Sequence, residues 1–486
     1  MKKNSCINFS ILIVAFCISI NSCTYRSADD IVTLSGYPEE VAAIINNKCA
    51  TAGCHDNESR EAAGGLSLST WNNMFEGSRG GAVVIPFRPD YSTLCYYINT
   101  DSANGVMMQP VMPINNTPLS AAEFATIKNW ITQGAPDKNN FVKFSDNQNK
   151  LKLYVANRGC DVVTVMDAES GLAIRYIDVG NNSAIEAPCM VKISPDKLHW
   201  YVIFNQGTTI EKYSTSDNLR VGELYIGSGI WSSFAITADS KKIFISDANF
   251  YGRIVYADLE NMAVITTYQT GLKFPFNIFL NNANTKLYTT SNEGNYIYKI
   301  DIQNPLAPVI DTLSLEPGVI ASSAPSLNPQ SIQFNHDESK YFVTCNKSAE
   351  LRIFQTMNDS LITILSTGSN PDAMAFSKSN LLLFVNCSGV PGTIKKSSVY
   401  VFSAATETFN LEIAAGHDSK GMVLDDKQKK LFVTNRNVSA GGPAAHHASL
   451  CEGKNGYITA IDISTMQLVP DFKAELSVDP YFISSN

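Results

Sequence analysis

Histidine and tryptophan are scarce in this chain of 486 residues, with six and four copies, and charged residues make up only 17% of it. The formal net charge is −8, and no run of lysine and arginine forms a basic stripe. Phosphate neutralisation, and with it nucleic acid as a partner, is therefore excluded. The chain also lacks a His-Glu-x-x-His pair, a Gly-x-Ser-x-Gly elbow and a glycine loop ending in Lys-Ser or Lys-Thr. Metalloprotease, α/β-hydrolase and P-loop chemistry have no support in the sequence. Long apolar runs are missing too, apart from residues 7–20, which are too short for a secure membrane span. What the chain does have is length and 44% hydrophobic residues, enough for a large core and more than one domain.

The N-terminus reads as an address. Lys2 and Lys3 precede the apolar residues 7–20, the layout of a signal peptide. The run ends in Ile20-Asn21-Ser22-Cys23, which resembles a bacterial lipobox. Residues 1–23 are then a lipoprotein signal peptide, with Cys23 acylated and becoming the mature N-terminus, and residues 24–36 are a polar tether. This predicts a protein of the cell envelope, lipid-anchored to the outer membrane on its periplasmic side or at the cell surface.

Cysteine is the informative residue, with eleven copies. Cys6 and Cys17 leave with the leader. Cys49-Ala50-Thr51-Ala52-Gly53-Cys54-His55 places two thiols directly before an imidazole. Covalent haem attachment uses that set: two thioethers to the porphyrin vinyl groups from Cys49 and Cys54, and His55 beneath the ring as proximal iron ligand. The usual spacing between the cysteines is two residues and here it is four. In an exported protein the same residues also read as a short-loop disulfide beside a surface histidine. Cys95, Cys160, Cys189, Cys345, Cys387 and Cys451 remain, as disulfide partners or as buried thiols in strands, and sequence does not assign their pairing.

Residues 37–135 read as a small, mostly helical unit. Val41, Ala42, Ile44 and Ile45 lie on one helical face that runs into Cys49, and residues 119–131 form an amphipathic helix with a serine near its start and Phe124, Ile127, Trp130 and Ile131 on its apolar face. Between them stand Gly64-Gly65-Leu66-Ser67-Leu68-Ser69-Thr70-Trp71 and Met107-Met108-Gln109-Pro110-Val111-Met112-Pro113. In order, Cys-Cys-His, Gly-Gly-Leu-x-Leu-Ser-Thr-Trp, Met-Pro and Leu-Ser-x-x-Glu, closed by Ile-x-x-Trp-Ile-x-x-Gly-Ala, resemble the c-type cytochrome domains of planctomycete and Bacteroidetes exported proteins. The resemblance implies one covalent haem c, with the methionine of the Met-Pro turn, Met112, as distal iron ligand. Met107 and Met108 are its rivals for that role.

Residues 136–149 read as a polar linker, and beyond it the chain repeats. Apolar strands recur at Leu153-Tyr154-Val155, Trp200-Tyr201-Val202, Ile243-Phe244-Ile245, Leu287-Tyr288-Thr289, Tyr341-Phe342-Val343, Leu383-Phe384-Val385 and Leu431-Phe432-Val433, about 42 to 54 residues apart. That period, with alternating apolar residues and turn signals, predicts seven four-stranded blades of a β-propeller over residues 150–486. The first Leu-Tyr-Val strand lacks the proline-led strand that precedes most of the others, and Asp479-Pro480-Tyr481-Phe482-Ile483 supplies one at the far end. The last strand should therefore close the ring by joining the first blade. Asp167, Asp258, Asp301 and Asp462 recur at one place in the repeat, which points to turn chemistry and not to general acid work. The segments resemble YVTN-type, lactonase-like repeats, a likeness that implies a fold more than a function.

An insertion follows Asn435 and carries His446, His447 and Cys451. It reads as a metal, substrate or second-cofactor loop, as a contact to the haem unit, or as a solvent-facing loop tied down by Cys451. His199, His336 and His417 stand singly near strand ends or turns and read as structural. The fold class is thus a small all-α cytochrome c-like domain followed by an all-β seven-bladed propeller. Three functions fit: a haem c electron-transfer lipoprotein whose propeller docks a redox partner protein, a redox enzyme with a small-molecule site on the propeller near His446 and His447, and a haem-free binding propeller.

Overall fold

The apolar repeats pair as their alternation requires. A computed structural model describes residues 35–144, 150–182, 184–322, 326–389 and 396–486. The signal peptide, Cys23 and residues 24–34 of the tether lie outside the described residues. So do residues 145–149 of the linker.

Seven antiparallel sheets of four strands form the propeller. Blades 2 to 7 are each built from four consecutive strands, beginning at the innermost strands Pro188–Ile193, Trp231–Ile236, Pro275–Leu280, Pro329–Phe334, Pro371–Ser377 and Ser419–Asp425. Blade 1 takes its innermost strand, Pro480–Ser485, from the far end of the chain and lays it beside Lys152–Asn157, followed by Val162–Asp167 and Ala173–Asp178. Leu153 pairs with Ser485 and Val155 with Ile483. The closure read from the missing proline-led strand is therefore the one the chain adopts, and it removes two open sheet edges.

Each innermost strand slips register near its start, at Pro188, Trp231, Pro275, Pro329, Pro371, Ser419 and Pro480. A bulge tolerates proline there, because the missing N–H falls where the ladder is already broken. The repeated Leu-Tyr-Val stretches all become second strands, and their side chains are buried on both faces. One apolar cluster fills each junction between blades, such as Tyr154, Val165, Trp200 and Tyr213 between blades 1 and 2. Trp200 stacks on Tyr213 at 3.9 Å. Deleting a buried aromatic of this kind costs about 3–5 kcal/mol. Cys189, Cys345 and Cys387 sit in such junctions and pack as small hydrophobes. The recurring aspartates cap turns: Asp167, Asp258, Asp301 and Asp462 each accept a backbone N–H two residues on, at 2.7–3.1 Å.

The N-terminal unit is less helical than its sequence suggests. Four short helices, α1 (Glu39–Lys48), α2 (Trp71–Met74), α3 (Thr93–Ile98) and α4 (Ala121–Thr132), and a 3-10 turn at Ser102–Asn104 are joined by long loops. An all-α description is therefore too strong. The glycine-rich and proline-rich segments cannot sustain helix, and their backbone turns instead. The core holds Tyr37, Ile45, Leu68, Trp71, Phe124, Trp130 and Ile131 among others. The described part of the linker is no free spacer: Phe141 and Phe144 pack on this core.

Among the described residues no helix is long and apolar enough to cross a membrane.

Candidate functional site

Helix α1 delivers Cys49. Its apolar face, Val41, Ala42, Ile44 and Ile45, is buried, and Cys49 is the C-cap, its N–H bonded to the Ile45 carbonyl at 2.9 Å. Lys48 in the last turn suits the helix dipole and pairs with Glu123 of α4 at 2.8 Å. Beyond the cap the chain turns at once. Cys54 N–H bonds Thr51 O at 3.0 Å, Gly53 takes φ +82°, and His55 N–H returns to Cys49 O at 3.1 Å. The two residues in excess of the usual spacing are absorbed in that turn, so both thiols and the imidazole still belong to one closed loop.

The loop's side chains meet different surroundings. Cys49 is buried in the apolar core, which pushes its thiol up to about 12, whereas Cys54 is exposed. The two are not bridged, so the short-loop disulfide is not what this loop forms. His55 is half-buried, its carbonyl accepting from Leu68 N–H at 2.8 Å. Burial lowers its pKa, more than the nearby Leu66 carbonyl raises it. Its Nδ1 is buried without a hydrogen-bond partner among the described residues.

The three methionines separate by burial. Met107 is 47% exposed. Met108 and Met112 are partly buried, with N–H groups on Tyr96 O at 3.0 Å and Tyr97 O at 2.8 Å. Only Met112 packs against the core cluster that holds Cys49 and Phe124. A cavity of about 210 Å³ opens beside this segment, between α3 and α4, lined by Cys95, Tyr96, Asn99, Val106, Phe124 and Lys128 together with Leu450 of the insertion.

The insertion is a contact between the two units. Cys451 forms a disulfide with Cys160, in the turn between the second and third strands of blade 1. The N–H groups of His446 and His447 donate to the Glu475 carboxylate at 2.7 and 2.9 Å. His446 is exposed, while His447 is partly buried, with Nε2 toward Gly80 of the N-terminal unit. Among the described residues no group of three His, Cys, Asp or Glu stands ready for a metal ion, so the two histidines are not gathered into a metal centre here. Around the disulfide, Ile85, Val162, Ala173, Tyr176 and Val478 form an apolar seam between the units. Gly159 permits it: a Cβ there would stand 2.5 Å from Val478 Cγ1. Tyr91 stacks on Tyr176 at 4.0 Å, Arg88 pairs with Asp178 at 2.8 Å and Arg175 donates to Lys143 O at 2.9 Å. Sequence reasoning missed Arg88, Tyr91 and Tyr176, because a seam between units has no period of its own. The sole signal is an arginine and a tyrosine set among Pro86, Pro89 and Asp90.

Residues 52–107 match the family described as Planctomycete cytochrome C. The matched stretch holds Cys54, His55 and Met107, begins three residues after Cys49 and ends short of Met112. A cytochrome c-like unit that binds haem is what the match supports. No curated protein matches the chain. Among solved structures, one of a functionally unknown protein from Desulfotomaculum acetoxidans DSM 771 is 15% identical and covers 68% of this chain and 99% of its own, with a TM-score of 0.51. Kuenenia stuttgartiensis hydrazine synthase is 14% identical, covering 63% and 92%, with a TM-score of 0.49. The first likeness shows the propeller fold alone.

The cytochrome unit's residues fit a haem c. Two unbridged thiols and an imidazole share one loop, that imidazole has a buried nitrogen with no partner among the described residues, and a thioether packs on the same core. Cys49, Cys54, His55 and Met112 would hold the group.

Proposed function

We propose that this chain is an electron-transfer protein carrying one covalent haem c, with thioethers from Cys49 and Cys54, His55 as proximal ligand and Met112 as distal ligand. The observation that carries the reading is the Cys54-His55 pair inside the family-matched stretch, with His55 Nδ1 buried and unpartnered among the described residues. Bound haem supplies one-electron oxidation and reduction at iron, with a potential set by its axial ligands and burial. The chain's own part is to exclude water and fix the ligands. α1 and α4, tied by Lys48 and Glu123, hold the loop against the core, and the seam through Tyr91 and Tyr176 fixes the unit on the propeller.

The propeller, of YVTN type in this reading, is the platform on which a redox partner docks, and the whole is lipid-anchored at Cys23 in the outer membrane. A rigid joint suits that role, because electron transfer depends on a fixed distance between donor and acceptor.

Production alongside cytochrome maturation machinery tests the reading. The reduced protein should show sharp haem c bands that persist as a pyridine adduct, and intact mass should rise by one haem. Replacing either Cys49 or Cys54 by alanine should leave a single thioether, and replacing both should leave the bare chain. Met112→Ala should abolish the low-spin spectrum, and an unchanged spectrum would move the distal ligand to Met108 or Met107. Apo mass with Cys49 and Cys54 both alkylatable, after maturation that loads a control cytochrome, would refute the proposal.

A further inference from the structure

The cavity between α3 and α4 draws its apolar wall from both units. Tyr96 and Phe124 are 3% and 7% exposed, Pro89 and Val106 line it beside them, and Leu450 joins from the propeller insertion, next to the Cys160–Cys451 disulfide. Asn104 and Gly105 in the wall are exposed, so the cavity is reachable from solvent. None of Cys49, Cys54, His55 and Met112 lines it.

The polar groups of the wall are engaged, with one exception. Asn99 Nδ2 donates to Gly105 O at 3.2 Å and Val106 O at 3.1 Å, and its Oδ1 accepts from Asp101 N–H at 3.1 Å. The Tyr96 hydroxyl donates to Asp90 O. The Cys95 thiol is buried and is a weak donor at best. Lys128 is the exception. Its Nζ makes a single bond, to Asn104 O at 3.3 Å, and has no ion pair among the described residues, which leaves N–H donors to spare.

Charge in and around the wall is balanced. Lys128 and Asp90 are the charged residues that line the cavity. The Arg88 fork holds Asp90, Nε to Oδ1 at 2.9 Å and Nη2 to Oδ2 at 2.7 Å, and Arg88 also pairs with Asp178 at 2.8 Å. Two cations thus meet two carboxylates. An anion has no surplus charge to neutralise here, and a cation finds Asp90 already taken.

We infer that this cavity is a binding site for a small neutral ligand, one aromatic ring carrying a single carbonyl, with the ring among Tyr96, Phe124, Val106 and Leu450 and the carbonyl oxygen accepting from Lys128 Nζ. The size fits: at about 210 Å³ the cavity exceeds the roughly 150 Å³ of an apolar cavity that takes up benzene, by about the volume of a two- or three-atom substituent. Two aromatic side chains in the wall suit an aromatic occupant through offset or edge contacts. A single free donor in an apolar box fixes which way round the ligand lies. The ligand would touch both units, and Phe124 packs in the same cluster as Cys49 and Met112. The site stands on side chains outside the proposed haem set, so its failure leaves the haem reading untouched.

Fluorine NMR on 4-fluoroacetophenone, titrated with the full chain produced alongside cytochrome maturation machinery and kept reduced with ascorbate, tests the site. Haem content is read separately from the pyridine adduct. Wild type should broaden the fluorine line saturably, and should do the same to fluorobenzene, which has the ring without the acceptor. Lys128→Met should weaken binding of the ketone at least about fivefold and leave fluorobenzene within about twofold of wild type. Val106→Phe should fill the cavity and abolish both signals. Leu450→Trp fills it from the propeller side with the same result, and covers the case in which Val106→Phe does not fold. No broadening by wild type, broadening that survives both filling variants, an equal effect of Lys128→Met on the two compounds, or tighter binding of 4-fluorobenzoate than of the ketone would overturn the inference.

Discussion

At the scale of residues, Cys49 and Cys54 share a loop but not an environment. Burial pushes the Cys49 thiol up to about 12, so at pH 8 very little of it is the thiolate that reacts. Cys54 lies in solvent. In haem-free protein at pH 8, iodoacetamide should therefore modify Cys54 within minutes and Cys49 only after denaturation, as peptide mass mapping would show. Equal labelling would mean that Cys49 leaves the core in solution. The motif was legible in the sequence because its chemistry is local: seven consecutive residues contain both thiols and the imidazole. The burial of Cys49 and the unpartnered Nδ1 of His55 were not: the first depends on Leu66, Phe124 and Met112, which reach the core cluster through tertiary packing, and the second on how the loop folds back. The four-residue spacing looked like a departure from the haem pattern, and the Thr51 to Cys54 turn accounts for it.

Among the elements, α4 has the most explicit local design. Ser120 accepts from Glu123 N–H and the Glu123 carboxylate reaches back to Ser120 N–H at 2.7 Å, a capping box. The same carboxylate takes the Lys48 ammonium, and these bonds, Lys48 first, hold its pKa at about 2. A depressed carboxyl pKa stabilises the fold above its ordinary value and the contribution fades as pH falls. The α1–α4 contact should thus be intact at neutral pH and weaken between about pH 4.5 and pH 2, modestly, because Glu123 is partly open to solvent. Ser120→Ala should cost about 1 kcal/mol, read as roughly fivefold faster hydrogen exchange of the α4 amides at pH 7. Glu123→Gln should remove the acid dependence of that exchange. Serine and glutamate three apart before an apolar run are a signal any sequence displays, as are the Leu-Tyr-Val strands, every one of which became the second strand of a blade. The partner of Cys451 carries no such signal. Cys160 lies 291 residues away, and only the closing of the ring brings the two together.

For the molecule as a whole, stability rests on seven like junctions, and each blade buries its faces only against its neighbours. Removing residues 479–486 should leave Lys152–Asn157 as an open edge and take Ile483 out of the junction between blades 7 and 1. The truncated chain should melt well below the full one and associate through that edge, measured by thermal scanning and light scattering. Reducing the disulfide should do less. The strand pairing of Pro480–Ser485 with Lys152–Asn157 already holds the distant segments together, so the bond closes an effective loop of only about thirty residues and contributes about 3.6 kcal/mol at most. The blade count and the closure could be read from period and from one misplaced proline-led strand. The seating of the N-terminal unit on blades 1 and 7 could not, because Arg88, Tyr91 and Tyr176 join two surfaces that are each unremarkable in isolation.

Because the first blade borrows a strand from residues 480–485, order in space runs against order in synthesis. The ribosome makes Lys152–Asn157 more than three hundred residues before the segment that shields it. Until then the growing polypeptide carries a three-stranded first blade with a bare flank, while the Cys49–His55 loop and its helices have long since been made. Chemistry on the N-terminal unit and locking of the ring are therefore separable in time, and the flank stays open until the last residues are made.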